Sequence, residues 1–163
     1  EVGTGSGCIS IAIGSAKKDA NILSLDISAA ALKVAKINTI KNNISNVKFK
    51  KLDFLRSMPK GEYDLIISNP PYITEDDYEK LQEEIRKFEP KLALIGGKDG
   101  LKFYKLFAKK IEKNMKKNSI FICEIGKNQL VSCKKIFSNT NLILNKISKD
   151  IHKIDRTLTF LKI

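Results

Sequence analysis

The feature that most limits the folds open to this chain is the regular alternation of short apolar runs with segments of helical period along its 163 residues. A glycine turn at residues 3–7 leads into a helix candidate from Cys8 to Ala16, followed by the strand-like "NILSLD" ending at Asp26. A second helix candidate, Ala29 to Lys41, carries Leu32, Ala35 and Ile40 near one face. Then come the strand candidates "VKFKKLD" and "YDLIISN". Leu101, Tyr104, Phe107, Ala108 and Ile111 recur at helical spacing and predict a helix over Gly100 to Lys116, before the buried strand "SIFICEI". Gln129 to Phe137 reads as a shorter helix, followed by "LILNKIS" and "TLTFLKI" with no helix between them. Strands alternating with helices predict an α/β, doubly wound, mostly parallel sheet. The last strand, reached without a crossover helix, predicts an antiparallel end. No internal repeat or second domain interrupts residues 1–163, and ligands of such sheets lie over the carboxyl ends of the strands.

Composition removes several function classes. Hydrophobic residues make up 42% and charged residues 29%, an ordinary globular balance. No apolar run reaches the roughly 20 residues of a membrane-spanning helix, and no basic-then-apolar leader opens the sequence, so a cytoplasmic protein is expected. Cys8, Cys123 and Cys133 are scattered, without disulfide or metal-ligand spacing, and read as small core residues with no metal site. The formal charge is +12; of 30 basic residues only Arg56, Arg86 and Arg156 are arginine, so 27 are lysine. Lysine gives a diffuse field and lacks the guanidinium fork that reads phosphate or guanine edges. A solvated surface explains the charge, with a face toward RNA or the ribosome as the other reading. Lys109, Lys110, Lys113, Lys116 and Lys117 would end the long helix, where positive charge favours its dipole. His152 lies in a lysine-rich connection without ligand-spaced neighbours and is expected to be exposed.

Gly3, Gly5 and Gly7, spaced by two before a helix, allow tight turning and close approach of a ligand to the backbone. Thr4 and Ser6 lie between them, and Asp26 stands at the end of the next strand, placed to accept hydrogen bonds from ribose hydroxyls. The dinucleotide fingerprint fails, because Cys8 takes its last glycine position. Glu1, just before the turn, suits a cationic ligand better than a pyrophosphate. Asp53 ends the third strand and is followed by Phe54, which fits a carboxylate near an adenine amine with a ring against the base; a turn cap and a core ring are the plainer readings. The pattern E-x-G-x-G-x-G resembles motif I of S-adenosylmethionine (AdoMet)-dependent methyltransferases, whose cofactor carries a sulfonium and an ammonium.

"SNPPYI", residues 68–73, ends an apolar strand abruptly. Proline lacks an N–H, fixes its own backbone and extends the residue before it, so Asn69 and Pro70 are both held rigid. The side-chain oxygen of Asn69 and the carbonyl of Pro70 then become two fixed acceptors, which suit both hydrogens of a planar NH2 group. A sulfonium brings its own positive charge, so methyl transfer to that nitrogen needs aim and desolvation more than a strong base. Tyr72 can stack on the target group or present its face to the cationic donor. N-P-P-Y resembles motif IV of methyltransferases acting on planar amines, with Asn69, Pro70, Pro71 and Tyr72 as catalytic and substrate-binding residues.

"FEPKLALIGGKDGLKFY" (88–104), "EIGKNQ" (124–129) and "KDIHKIDRTLTF" are similar to segments of the HemK/PrmC family, the glutamine N5-methyltransferases of peptide chain release factors. The resemblance spans essentially the whole chain. It implies a Rossmann-like class I methyltransferase fold, AdoMet contacts from Glu1, Gly3, Thr4, Gly5, Ser6, Gly7, Asp26, Asp53, Phe54 and Asn69, and a release factor as protein partner. The residues themselves assign Gly96, Gly97 and Gly100 only a turning loop. Members of that family carry a small helical domain ahead of the methyltransferase domain; the expectation for this sequence, which opens inside a strand, is that this domain and the start of the first strand are missing. Two other readings stay open: a methyltransferase for nucleic-acid amines using the same acceptors, and a non-catalytic binding domain with the same fold.

Overall fold

Ile22–Asp26 becomes a strand, β1, covered on both faces: the consecutive residues Ser24 and Leu25, which point to opposite sides, are both buried. The computed structural model describes residues 1–163 and separates into two units, Glu1–Pro59 and Lys60–Ile163. In the first unit β1 pairs in parallel with β2 (Val47–Lys51), in register from Ile22 opposite Val47 to Asp26 opposite Lys51. Val2 makes a parallel bridge to Leu25. Helix α1 (Cys8–Ala16) follows the glycine turn. Helix α2 (Ala29–Lys41) starts where Ser28 Oγ accepts a hydrogen bond from the Ala31 amide at 3.2 Å, satisfying one of the donors a helix start leaves open. Its buried face is Leu32, Ala35 and Thr39. Ile40, expected on that face, is 76% exposed; one residue past Thr39 is about 100° round the helix.

In the second unit four strands lie in the order β3 (Tyr63–Ser68), β4 (Met115–Glu124), β6 (Asp155–Lys162), β5 (Leu142–Lys149). β3 and β4 are parallel; β6 runs antiparallel to both of its neighbours. Antiparallel pairing therefore enters only through the last strand, as the missing crossover helix predicts. The turn joining β5 to β6 is built by Asp150, whose Oδ1 accepts from the His152 and Ile154 amides at 2.9 and 3.0 Å. His152 is exposed, as expected. The core is aromatic: Phe121 meets Phe107, Phe137 and Phe160 at centroid separations of 5.2, 5.9 and 6.0 Å, and Phe137 meets Phe160 at 4.4 Å.

Three sequence expectations are corrected here. The long helix over Gly100 to Lys116 is α6 (Lys102–Lys110) only, followed by a 3-10 turn, Ile111–Asn114, and then directly by β4. Tertiary partners override the local helical pattern. Asn114 Nδ2 donates to Gly61 O at 2.8 Å, Lys162 Nζ donates to the carbonyls of Glu112 and Met115 at 2.8 and 2.5 Å, and Met115 pairs with Tyr63. Accordingly, Lys113 sits in the 3-10 turn and Lys116 and Lys117 in the strand rather than at a helix end; Lys116 Nζ binds Asp64 at 2.8 Å. Cys8 is exposed, unlike the buried Cys123 and Cys133. It opens α1, and its Sγ lies 3.0 Å from Ser6 Oγ. The stretch after N-P-P-Y, unassigned from the sequence, holds three short helices, α3 (Glu75–Tyr78), α4 (Glu83–Phe88) and α5 (Lys91–Leu94), before helices α6 and α7 (Leu130–Phe137). No helix is long and apolar enough to cross a membrane.

Candidate functional site

The glycine turn of the first unit is held from both sides by hydrogen bonds. Gly3 N and Thr4 N both donate to Leu25 O at 2.9 Å, so the turn starts as an extension of the pairing with β1. Gly5 N donates to Asp26 Oδ2 at 2.9 Å, while Asp26 Oδ1 accepts from Ser28 N at 2.8 Å. The strand-end acid thus ties the middle of the turn to the start of α2. Asn38 Nδ2 holds the Ser6 carbonyl at 2.9 Å. Gly7 caps α1 at φ +85°, and a Cβ there would stand 3.0 Å from Ala35 Cβ, so only glycine allows α2 to pack this closely. At Gly5 a Cβ would meet nothing within 4 Å, which leaves that backbone face open.

Glu1 anchors a hydroxyl cluster beneath the turn. Its Oε2 accepts from Thr4 Oγ1 at 2.5 Å and from Ser10 Oγ, and Ser10 Oγ shares a hydrogen with Ser24 Oγ at 2.5 Å. Thr4, Ser10 and Ser24 are all buried, so the carboxylate satisfies polar groups that would otherwise be costly inside the unit. Both contacts fall on Oε2, leaving Oε1 unengaged. Asp53 folds its own turn: Oδ1 accepts from Leu55 N at 2.9 Å, Oδ2 lies 3.2 Å from Arg56 Nε, and its carbonyl accepts from the Arg56 and Ser57 amides at 3.0 Å. Phe54 is 7% exposed, in the interior.

In the second unit the β3–β4 ladder ends at Ser68 opposite Cys123, so Asn69 and Pro70 lie just past its last pair. Asn69 is exposed, Pro70 buried, and Pro71 and Tyr72 half-buried. The chain then re-pairs: Ile73 N donates to Leu94 O at 2.9 Å and Gly96 N to Ile73 O at 2.8 Å. Tyr72 is held at both ends. Its hydroxyl donates to Glu124 Oε1 at 3.0 Å, and its carbonyl accepts from Gln129 Nε2 at 3.0 Å. Burial, and next the Glu124 carboxylate, push the Tyr72 phenol above its ordinary range, so it stays a neutral donor.

Gln129 is the hub of this region. Nε2 also donates to Gly100 O at 3.3 Å, and Oε1 accepts from Gly126 N at 2.8 Å with the Tyr104 hydroxyl at 3.3 Å. The Tyr104 hydroxyl lies 3.0 Å from the Glu124 carbonyl, to which it donates. Gly100 and Gly126 are close-approach positions: a Cβ on the first would collide with the Tyr72 carbonyl, and one on the second would stand 2.9 Å from the Tyr72 ring. Arg156 closes the region, its Nε bound to Asp150 Oδ2 at 2.9 Å and its Nη1 to Ile125 O at 3.4 Å.

Within the first unit the structure brings together Glu1, Gly3, Thr4, Gly5, Ser6, Gly7 and Asp26; Asp53 and Phe54 follow Leu52, whose amide donates to the Asp26 carbonyl at 2.9 Å, and open the next turn. Asn69, Pro70, Pro71 and Tyr72 form one rigid corner of the second unit. The sequence reading gave Tyr104 a place on a helix face and Gly100 a turning loop, and assigned no site role to these two or to Glu124, Gln129 or Gly126. The segment "EIGKNQ" carried the signal, two polar residues bracketing a glycine after a buried strand, but the partner of Gln129 is 57 residues away.

A family model described as a methyltransferase domain matches residues 1–160. The chain belongs to this methyltransferase domain family. It is 39% identical over 159 residues to a release factor glutamine methyltransferase of Fusobacterium nucleatum, covering 97% of this chain and 45% of that protein. It is 37% identical to the protein of the same description from Thermodesulfovibrio yellowstonii, covering 98% and 57%. A bifunctional methyltransferase of Rickettsia prowazekii is 36% identical over 97% of this chain and 31% of its own length. The chain thus spans roughly a third to somewhat over half of these relatives. Among solved structures, a methyltransferase from Pyrococcus furiosus superposes with a TM-score of 0.70 at 16% identity, covering 99% of this chain and 73% of that one, which establishes the fold.

Proposed function

We propose that the chain transfers a methyl group from AdoMet to the side-chain amide nitrogen of a protein glutamine, the one in the Gly-Gly-Gln motif of a peptide chain release factor. The observation that carries this reading is the Asn69–Pro70 corner just past the end of the β3–β4 ladder, whose side-chain and backbone oxygens are two acceptors matched in number to the hydrogens of a planar NH2 group. The relatives described as release factor glutamine methyltransferases support the choice of substrate. Such a substrate puts the reaction in the cytoplasm.

The first unit fits the cofactor chemically. The open face at Gly5 admits a ligand against the backbone, Asp26 retains lone pairs for ribose hydroxyls, and Glu1 Oε1 is available to a cationic group. Bound AdoMet supplies an electrophilic methyl on a sulfonium. Asn69 Oδ1 and the Pro70 carbonyl would accept the two amide hydrogens, which would orient the nitrogen and raise its electron density for attack on a methyl group. The methylated amide nitrogen would release one proton to water. Tyr72, fixed by Glu124 through its hydroxyl, sets the wall of the amide site with its ring.

A second reading is favoured by one feature. An open groove of about 550 Å³ between α6 and α7 is lined by Lys105, Lys109 and Lys135 and by the apolar Leu101, Ala108 and Ile136. Its three lysines can pair with phosphates, and on them rests the reading of a domain that works close to RNA or methylates a nucleic-acid amine. Incubation with labelled AdoMet and, separately, wild-type release factor, a factor with glutamate in place of the Gly-Gly-Gln glutamine, ribosomal RNA and DNA separates the two. A carboxylate has no hydrogens for the two acceptors, so label on the wild-type factor alone supports the glutamine reading. Label on nucleic acid, with a binding constant that falls steeply with salt, overturns it.

A further inference from the structure

We propose that Gln129 is a positioning residue for the methyl-accepting corner: its carboxamide, held in one orientation, fixes the Tyr72 carbonyl and thereby the Asn69–Pro70 acceptor pair. The proposal rests on the methyl-transfer reading above. Gln129 sits at the N-cap of α7 yet makes no side-chain capping bond. All the hydrogen bonds of its side chain instead go to the region around Tyr72. Oε1 faces a backbone donor, Gly126 N, and the hydroxyl of Tyr104; Nε2 faces two backbone carbonyls, Tyr72 and Gly100. Rotating the amide by a half turn would set its NH2 against an N–H and its oxygen against two carbonyls, so one orientation alone satisfies the site.

Position passes from Gln129 to the acceptors through stiff chain. Tyr72 is pinned at its carbonyl by Gln129 and at its hydroxyl by Glu124, and the two residues before it are prolines with fixed φ. The residue before Pro70 is Asn69, itself confined to extended backbone. A shift of the Tyr72 carbonyl therefore moves both acceptors together, and a displacement of about 1 Å costs on the order of 10²-fold in rate where aim is the main contribution.

The same geometry makes a pH-dependent variant. In Gln129→Glu the ionised carboxylate repels the Tyr72 and Gly100 carbonyls, whereas the protonated acid has one O–H for Tyr72 O and one oxygen for Gly126 N. The groups facing it are the phenols of Tyr72 and Tyr104, the Glu124 carboxylate on the Tyr72 hydroxyl, the Arg156 guanidinium on Ile125 O, and the thiols of Cys123 and Cys133 around Tyr104. Burial keeps Tyr104 and both thiols neutral, so Glu124 and Arg156 are the charges present.

The test measures methylation of a Gly-Gly-Gln release factor by the wild-type protein, Gln129→Glu and Gln129→Met over the range in which a buried carboxyl titrates, roughly pH 5 to 9. With AdoMet affinity followed by calorimetry, Gln129→Met is expected to lose on the order of 10²-fold in kcat at every pH. Gln129→Glu is expected to match that loss at high pH and recover about tenfold or more toward low pH, with AdoMet affinity unchanged in both. A constant ratio of Gln129→Glu to wild type across pH, or wild-type kcat in Gln129→Met, overturns the proposal. The Tyr72 phenol, followed by NMR on labelled tyrosine and assigned with Tyr72→Phe, gives a readout independent of activity: its titration should move toward the ordinary range in Gln129→Met. If the wild-type protein leaves the release factor untouched, the substrate reading fails, and an unmoved Tyr72 titration is then the result that sinks the role of Gln129.

Discussion

Gly97 and Gly100 differ in one respect, what an added methyl would meet, and that difference sets the size of two substitutions. Both have left-handed backbone, φ +89° and +69°. An L side chain in that region costs about 1–2 kcal/mol whatever the space around it. At Gly97 a Cβ would stand 3.4 Å from Lys102 Cβ, an ordinary contact, so Gly97→Ala should lose that strain energy alone. At Gly100 it would collide with the Tyr72 carbonyl, which is backbone, and stand 2.7 Å from Gln129 Nε2, a side-chain end held by hydrogen bonds to the Tyr72 and Gly100 carbonyls. Overpacking of this kind adds about 1–3 kcal/mol. With about 3 °C per kcal/mol for a domain of this size, Gly97→Ala should lower Tm by about 5 °C and Gly100→Ala by about 10 °C. Thermal unfolding by circular dichroism reads the difference, and methyl transfer should fall with Gly100→Ala and hold with Gly97→Ala. Equal shifts in Tm would show that the Tyr72 backbone yields freely, contradicting a rigid corner.

Three further outcomes are expected. Asn69→Ala should leave AdoMet binding in place and lower turnover on the order of 10²-fold, as loss of one preorganised polar group does elsewhere; unchanged turnover removes the two-acceptor model. Asp26→Ala frees Gly5 N and Ser28 N and removes the ribose acceptor, so calorimetry should show weaker AdoMet binding, and equal affinity would take Asp26 out of the site. Burial raises the Cys133 thiol from its ordinary 9.0 to about 12 and raises Cys123 as well. Because the folded values are raised, the neutral thiols keep their full stability below about pH 9, and it is lost as pH rises toward 12 while the unfolded thiols ionise. Tm should fall across that window, and the double variant Cys123→Ala, Cys133→Ala should show a flatter profile.

The sequence announced the elements whose period and neighbours agree. β1, α2, β3 and α7 each follow a local pattern, and the prolines after β3 add a boundary signal. Helix α6 was overextended because residues 111–116 continue its apolar period, while their carbonyls and side chains are claimed by Gly61 and Lys162, which no local pattern shows. The short helices after Tyr72 bury little and lack periodicity. At the site, the glycine turn with Asp26 and the N-P-P-Y corner were legible because glycine and proline act on their own backbone. Glu124, Gln129 and Gly126 were not, because their roles are set by contacts to Tyr72 more than 50 residues away.

Mass spectrometry of the Gly-Gly-Gln peptide from cells with and without the gene shows whether this protein methylates a protein glutamine. One methyl is expected on the glutamine side chain, disappearing when the gene is removed and returning with the wild-type copy but not with Asn69→Ala. A peptide equally methylated in both strains, or unmethylated in both while a nucleic-acid amine loses its methyl with the gene, would contradict it.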